Sequence, residues 1–202
     1  DLPGLIGALG RERFLKRLDE GFRRSAETRF NAPNEQYWDY PVVHGNQQSM
    51  HFAFLFNWAG APWLTQKWSR EILDRYYGHG TGDAYLGDED QGQMSAWFIM
   101  AALGLFQMDG GCRVDPIYEI GSPLFERVTV QLNPDYSSGE TFVIEARNTT
   151  KRNRFVQSAT LNGRPLTQVW FPQSELVKGG SLVLEMGPEP NRDWGSPPSV
   201  AQ

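Results

Sequence analysis

The sequence predicts an α+β protein, because its hydrophobic residues recur with a helical period in the first half and a twofold period in the second. From the start of the chain to about Phe106, apolar residues lie three or four positions apart, as on helices that bury one face. After Gly110 and Gly111 they alternate with polar residues, as in half-buried strands. We therefore expect helices over 1–112, an antiparallel β module over 113–190 and a flexible tail over 191–202.

Helical spacing is clearest in two stretches. The first contains Phe14, Leu18 and Phe22, with charged residues on the opposite face. The second begins at Pro62, a residue favoured in a first helical turn, and ends before Gly78. We also predict a helix over 48–58. A helix over 91–106 would have almost no polar face, so we expect protein on all its sides. Such an alternation of amphipathic and buried helices is typical of a toroid of paired helices.

The strand predictions rest on alternation and on turn residues. Asn162-Gly163 is a favoured hairpin turn between two alternating runs. The tail from about Pro188 is rich in Pro, Gly, Ser and Asn, a composition too polar to form a core. The predicted strands cover residues 128–132, 142–147, 155–161, 166–171 and 181–186.

Composition excludes several classes of function. With 24 acidic and 19 basic residues and a net charge of -5, the chain has no general attraction for nucleic acid. The longest apolar run, Ala96 to Phe106, is far shorter than the ~20 residues of a membrane-spanning helix. Cys112 is the only cysteine, so the chain offers no internal disulfide and no metal site of paired thiolates.

Three carboxylates precede the most apolar predicted helix. We call Gly87 to Asp90 the acidic segment. Asp88 and Asp90 point the same way in an extended loop, so together they could hold and deprotonate one water molecule. The alternative is structural, since acidic residues favour helix N-termini and Asp90 could be an N-cap.

A second polar run, His44 to His51, lies between apolar stretches, and we call it the polar segment. The side-chain oxygens of Asn46 and Gln47 could bind Ca²⁺ or the hydroxyls of a sugar. Helix capping by Asn46 and Ser49 is the alternative. Zinc is disfavoured, because a three-histidine site would use every histidine in the chain.

Aromatic residues make up 13% of the chain, and several cluster between Trp58 and Tyr85. Aromatic rings fill cores or stack on the apolar faces of sugars. A carbohydrate-binding or interaction module is therefore an alternative to an enzyme.

The polar segment, the acidic segment and several further blocks of sequence resemble the C-terminal part of glycoside hydrolase family 92, the calcium-dependent exo-α-mannosidases. The similarity runs in order from Asp1 to about Asn191. The matching blocks are Pro3-Gly4-Leu5-Ile6, His44-Gly45-Asn46 with Ser49 and His51, Ala59-Gly60 with Pro62-Trp63 and Thr65-Gln66, Gly87-Asp88-Glu89-Asp90 through Trp97, Ile120 to Phe125, and Gln157 to Gly163.

The resemblance implies inverting hydrolysis of terminal α-mannosides, of α-1,2 or related linkage. It implies that Asp88 and Asp90 supply the general base, that Asn46 and Gln47 form part of a calcium site, and that Glu89, His44 and His51 contact the sugar. Family members commonly have Glu in place of Gln47 and a polar side chain in place of Met50. A ligand set with fewer charges should bind calcium more weakly.

The resemblance also implies that this chain is a fragment of a larger two-domain enzyme. Family members carry an N-terminal β-sandwich and an (α/α)₆ barrel, and this chain resembles the last barrel helices and the following strands. The general acid is an upstream Glu, so we expect the isolated chain to be inactive. A structural fragment without activity of its own is the alternative. We expect a secreted or periplasmic enzyme.

Overall fold

The computed structural model describes residues 1–87, 89, 91–195 and 197. It confirms the α+β class: among the described residues six helices come first, and the strands follow with one short helix among them. The helices are α1 Leu2–Leu9, α2 Arg11–Ala26, α3 Gln47–Met50, α4 Leu55–Trp58, α5 Pro62–Arg75, α6 Gln93–Leu103 and α7 Gln173–Leu176. The strands are β1 Leu105–Phe106, β2 Ile117–Ile120, β3 Arg127–Gln131, β4 Thr141–Arg147, β5 Phe155–Leu161, β6 Arg164–Pro165, β7 Trp170–Pro172 and β8 Gly180–Gly187.

The two clearest helix predictions are confirmed. Helix α2 buries Phe14 and Phe22 on one face, as the spacing predicts. Helix α5 begins at Pro62 and ends at Arg75, whose positive charge in the last turn complements the helix dipole.

The predicted helix over 48–58 is divided into α3, a 3₁₀ turn at Phe52–Phe54, and α4. The backbone stays close to helical conformation, but the amide of Phe54 bonds to the carbonyl of His51 and that of Leu55 to Phe52. These bonds span three residues instead of four, which tightens the turn and redirects the chain.

Helix α6 lies between two glycines, Gly92 (φ 91°) and Gly104 (φ 78°). Met94 and Trp97 are buried, but Ile99 is 58% exposed. The prediction that protein surrounds this helix is therefore wrong for one face of α6, which no other part of this chain covers among the described residues. Apolar character without a neighbour is typical of a surface that packs against another part of a protein.

The strands form two sheets, ordered β1-β2-β7 and β3-β4-β8-β5-β6. The predicted antiparallel arrangement holds for each of these neighbouring pairs except β4 and β8, which run parallel and pair Ile144 with Leu182. The Asn162-Gly163 turn joins β5 to β6 with positive φ at both residues, as predicted. The strand predicted over 166–171 is shorter and later, at Trp170–Pro172. Leu166 and Val169 instead pack into the core.

Two hydrophobic clusters divide the chain. The first lies among the helices and includes Phe22, Phe54 and Trp97. The second lies in the β part and begins at Leu105. Because β1 already pairs with β2, the β part starts earlier than the predicted boundary at residue 112.

Buried polar contacts fix the β part onto helix α5. The Arg70 guanidinium donates to the carbonyls of Pro123 and Thr150, and the side-chain oxygen of Gln66 accepts from the amide of Val156. A buried arginine needs such acceptors, so these bonds hold the two parts in one orientation.

The predicted flexible tail is wrong for residues 191–195. Trp194 is 9% exposed, and its indole donates to the carbonyl of Leu166 at 2.9 Å. The Asn191 amide donates to the carbonyl of Gln157. One large aromatic side chain, Trp194, therefore packs residues 191–195 onto the second hydrophobic cluster. The remainder of the predicted tail, apart from Pro197, lies outside the described residues.

Candidate active site

The structure brings the first residue of the acidic segment, Gly87, against Gly45 of the polar segment. An ideal Cβ on Gly45 would lie 2.5 Å from the Tyr76 hydroxyl, 3.1 Å from the carbonyl oxygen of Leu86 and 3.3 Å from Cα of Gly87. A Cβ on Gly87 would lie 3.0 Å from Cα of Gly45. Glycine is favoured at both positions, because a Cβ at either one would crowd the Tyr76 hydroxyl and the backbone of the other loop. Gly45 of the polar segment and Gly87 of the acidic segment are therefore neighbours in space.

Asp88 and Asp90, the predicted general base, lie outside the described residues. Glu89 is described, and its carboxylate accepts hydrogen bonds from the amides of Gly92 and Ser95, the latter at 3.1 Å. Bonds from the Ser95 side chain and backbone hold the pKa of Glu89 below its usual value. Glu89 thus caps the start of α6 as an ionised carboxylate, a role that the sequence alternative gave to Asp90.

The side chains of Asn46 and Gln47 are exposed at the start of α3. Asn46 occupies the N-cap position, yet its side chain makes no capping hydrogen bond. Ser49 behaves differently, because its hydroxyl accepts from the amide of Val43 and closes the turn. Ser49 lies within α3 and bonds to a residue before the helix, so neither Asn46 nor Ser49 makes the predicted helix cap, and the side-chain amide of Asn46 is left available to a ligand.

His44 is completely buried. Its ring makes edge contacts with the rings of Tyr76, Tyr77 and Trp97, the last at 4.2 Å between centroids. Burial lowers the pKa of His44 to about 3, so the imidazole is neutral. Its Nδ1 has no hydrogen-bond partner among the described residues. Because none of its surface is exposed, His44 contributes packing beneath the polar segment.

His51, at the other end of the polar segment, is half-buried. Its ring lies 6.0 Å from that of Phe106, edge to face, and Phe106 stacks on Phe54 at 4.6 Å. This aromatic support orients His51 while part of its ring stays accessible.

Two residues that join the polar segment to α6 were not predicted as site residues. The Tyr77 hydroxyl lies 2.9 Å from Nε2 of His44 and donates to the carbonyl of Met94 at 3.0 Å. The indole of Trp97 donates to the carbonyl of Met50 at 2.9 Å. The sequence placed both residues among aromatic side chains of the core; the signal was that buried Tyr and Trp need partners for their polar atoms.

A hollow of about 870 Å³ lies beside the polar segment. Its walls are mostly apolar and include Phe14, Leu18, Val42 and Phe52, with Trp38 standing 94% exposed at its edge. A hollow of this character is suited to apolar protein side chains more than to a polyhydroxylated sugar.

The donor types of the polar segment fit a hard cation in part. Asn46 and Gln47 offer neutral amide oxygens, which calcium accepts as ligands. Within the described ranges, no three His, Cys, Asp or Glu residues come together in a metal-binding group.

Comparison with known proteins now identifies the family. The model of the glycosyl hydrolase family 92 catalytic domain matches residues 1–188. The chain belongs to glycosyl hydrolase family 92. As a family 92 chain, it is similar over 99% of its length to an uncharacterized secreted glycosidase of Arthroderma benhamiae, with 29% identity over 209 residues.

Solved family 92 structures have the same fold over this region. The α-mannosidase BT3965 of Bacteroides thetaiotaomicron superposes with a TM-score of 0.83 and 32% identity over the whole of this chain. The inverting mannosidase BT2199 of the same species gives a TM-score of 0.77 and 33% identity over 97% of the chain. The chain spans 24% of the Arthroderma protein, 26% of BT3965 and 27% of BT2199, so it corresponds to a fragment of these proteins.

No helix within the described part of the chain is both long and apolar enough to cross a membrane.

Proposed function

We propose that this chain is the C-terminal portion of a secreted, inverting exo-α-mannosidase and that it supplies the general base. The observation that carries the proposal is the contact between Gly45 and Gly87, which brings the polar and acidic segments together in a family 92 chain. A carboxylate beside oxygen and imidazole groups is the arrangement needed to bind a sugar and to activate water against it.

In this proposal Asp88 and Asp90 act together on the water molecule. One accepts its proton as water attacks the anomeric carbon, and the other orients the water. A Glu on the remainder of the polypeptide protonates the leaving oxygen from the opposite face. Inversion requires the acid and the base to be about 6.5–9.5 Å apart, so that water fits between base and sugar.

Asn46 and Gln47 would hold calcium through their side-chain oxygens. When bound, the ion supplies a positive charge that orients two neighbouring sugar hydroxyls. Because Gln47 has no charge, we propose weaker calcium binding than a Glu at this position would give.

The described side chains divide the remaining roles. His51 contacts the sugar with its accessible edge, and Glu89 contacts it with oxygen lone pairs not used in capping α6. His44 holds the polar segment in place from the interior, which replaces the direct sugar contact predicted from the sequence. The substrate is a terminal α-mannoside of α-1,2 or related linkage.

Exposed apolar surface supports the proposal that further parts of the same enzyme pack against this chain. Helix α1 has the sequence Leu2–Leu9, is almost entirely apolar, and buries none of its residues. Ile99 on α6 and Trp38 beside the hollow are likewise exposed. We propose that the remaining helices of an (α/α)₆ barrel and an N-terminal β-sandwich cover these surfaces in the full-length enzyme.

The test is kinetic and uses the full-length protein with an aryl α-mannoside and calcium. D88N and D90N should each lower kcat by about 100-fold or more while binding of mannose stays measurable, because the hydroxyl contacts are retained. D39N is the control, since Asp39 is an exposed acid paired with Arg24. NMR of the first product should show β-mannose.

Two outcomes would contradict the proposal. Mannose binding with no turnover in the wild type would favour the carbohydrate-binding module. Equal turnover by the isolated 202-residue chain and the full-length protein would contradict the role assigned to the upstream acid.

A further inference from the structure

Both ends of the polar segment are tied to helix α6 by hydrogen bonds. At the start, the Tyr77 hydroxyl joins Nε2 of His44 (2.9 Å) to the carbonyl of Met94 (3.0 Å). At the end, the Trp97 indole donates to the carbonyl of Met50 (2.9 Å). In the sequence, helix α6 begins three residues after Asp90, and these bonds hold its first turns beside the polar segment.

The direction of the first link follows from the chemistry of the groups. A tyrosine hydroxyl has one proton, and the Met94 carbonyl can only accept it. The Tyr77 oxygen must then accept the Nε2 proton of His44, which leaves Nδ1 unprotonated. This agrees with the unpartnered Nδ1. One hydroxyl thus bridges the polar segment, the chain that follows α5, and the first turn of α6.

The Tyr77 ring is held independently of its hydroxyl. It stacks on Trp97 with centroids 6.0 Å apart and planes within 10°, and it lies 5.0 Å from the ring of Phe98. A phenylalanine at this position keeps these contacts and loses only the two hydrogen bonds. The contribution of the hydroxyl can therefore be measured separately from packing.

We propose that Tyr77 is a positioning residue of the mannosidase site: its hydroxyl holds the polar segment against the first turn of α6 and so sets the distance between the bound sugar and the general base. The proposal rests on the proposed function. It assigns Tyr77 no contact with the substrate.

Loss of this link should affect the chemical step more than binding. Asn46, Gln47 and His51 all lie in the polar segment and stay together as one piece, so most of the substrate affinity is retained even if the Glu89 contact is weakened. The Tyr77 hydroxyl joins the part of the chain that carries the proposed base to the polar segment that binds the sugar, so its loss disturbs their alignment. A misplacement of about 1 Å can lower the rate by a factor of about 100.

The experiment compares Y77F with Y118F in the full-length enzyme. Tyr118 is a matched control because it is also half-buried against an aromatic ring, that of Phe171 at 5.7 Å, but lies on β2. Y77F should lower kcat about tenfold or more with KM within about threefold of the wild-type value. Y118F should leave both constants unchanged. A kcat of Y77F within about threefold of wild type overturns the proposal.

Hydrogen exchange of backbone amides provides a readout independent of activity. In Y77F, amides of residues 44–50 and 93–98 should exchange faster together, with little change in the β part. A loss of protection spread evenly over the protein, with a parallel fall in Tm, would show a general stability effect and overturn the positioning role.

If Y77F does not accumulate as folded protein, His44→Phe removes the other partner of the same bond and is measured in the same way. Normal kcat in that variant overturns the proposal. The two hypotheses fail differently: an inactive wild-type enzyme contradicts the proposed function, whereas an active wild type with an equally active Y77F contradicts only the positioning role.

Discussion

Glu119 is a buried carboxyl outside the candidate site. It lies on β2, where it accepts hydrogen bonds from the indole of Trp58 (2.8 Å) and the amide of Asn57 (3.3 Å). Burial raises the pKa of Glu119 to about 8, although these two bonds oppose the shift. Asp109 raises this pKa further, and Arg113 lowers it. Glu119 therefore keeps its proton at neutral pH.

This shift predicts a pH-dependent stability. The pKa is higher in the folded protein than in the unfolded chain, so the stabilisation is fully present below about pH 4.3 and is lost as pH rises to about 8. E119Q has no proton to lose. Relative to E119Q, the free energy of unfolding of the wild type should fall by up to about 1.4 kcal/mol per pH unit across this range.

Urea unfolding at pH 5, 6.5 and 8 measures this difference. E126Q is the control, because Glu126 is an exposed carboxyl. A constant difference between wild type and E119Q at all three pH values would show that Glu119 titrates normally in the folded protein.

Among the elements, the loops at Gly45 and Gly87 pass each other closely. Gly45→Ala would place a methyl group 2.5 Å from the Tyr76 hydroxyl and 3.1 Å from a backbone oxygen. We expect this substitution to lower stability by about 1–3 kcal/mol and to lower kcat with it, because the loops must separate.

Gly82→Ala is the matched control for this close approach, since a Cβ there meets none of the other described residues, its two chain neighbours apart, within 4 Å. Thermal unfolding and turnover of both variants provide the measurement. Equal Tm values for the two variants would contradict the close approach of the two loops.

Local signals predicted elements better than the contacts between them. The spacing of Phe14 and Phe22 predicted α2, and Asn162-Gly163 predicted the turn between β5 and β6, because each pattern acts within one element. The parallel pairing of β4 with β8 depends on strands more than 30 residues apart, for which no local pattern exists.

The sequence predicted which segments carry the candidate site residues, but it did not predict the hydrogen bonds that hold those segments in place. The polar and acidic segments stand out as runs of chemically active side chains, and the structure brings Gly45 of one close to Gly87 of the other. The bridge through Tyr77 and the docking of Trp194 were not predictable, since each depends on which backbone carbonyl lies opposite a ring in the folded chain. Composition alone made residues 191–195 look disordered.

At the scale of the whole molecule, one indole anchors the chain beyond the last strand. Trp194→Ala should destabilise the protein by about 3 kcal/mol, because it empties a buried aromatic site and leaves the Leu166 carbonyl without its donor. Limited proteolysis should then cut after residue 187. Tyr136→Ala is the control, since Tyr136 is 82% exposed. Unchanged proteolysis of Trp194→Ala would show that this segment is held by other contacts.

The central place of β8 has a consequence for biosynthesis. This last strand lies between β4 and β5, so the five-stranded sheet has a gap in its middle until Gly180–Gly187 have left the ribosome. Until then the nascent chain carries two unpaired strand edges, those of β4 and β5. A chain truncated before these eight residues would leave β4 and β5 unpaired at the centre of the sheet, and such exposed edges favour aggregation and proteolysis.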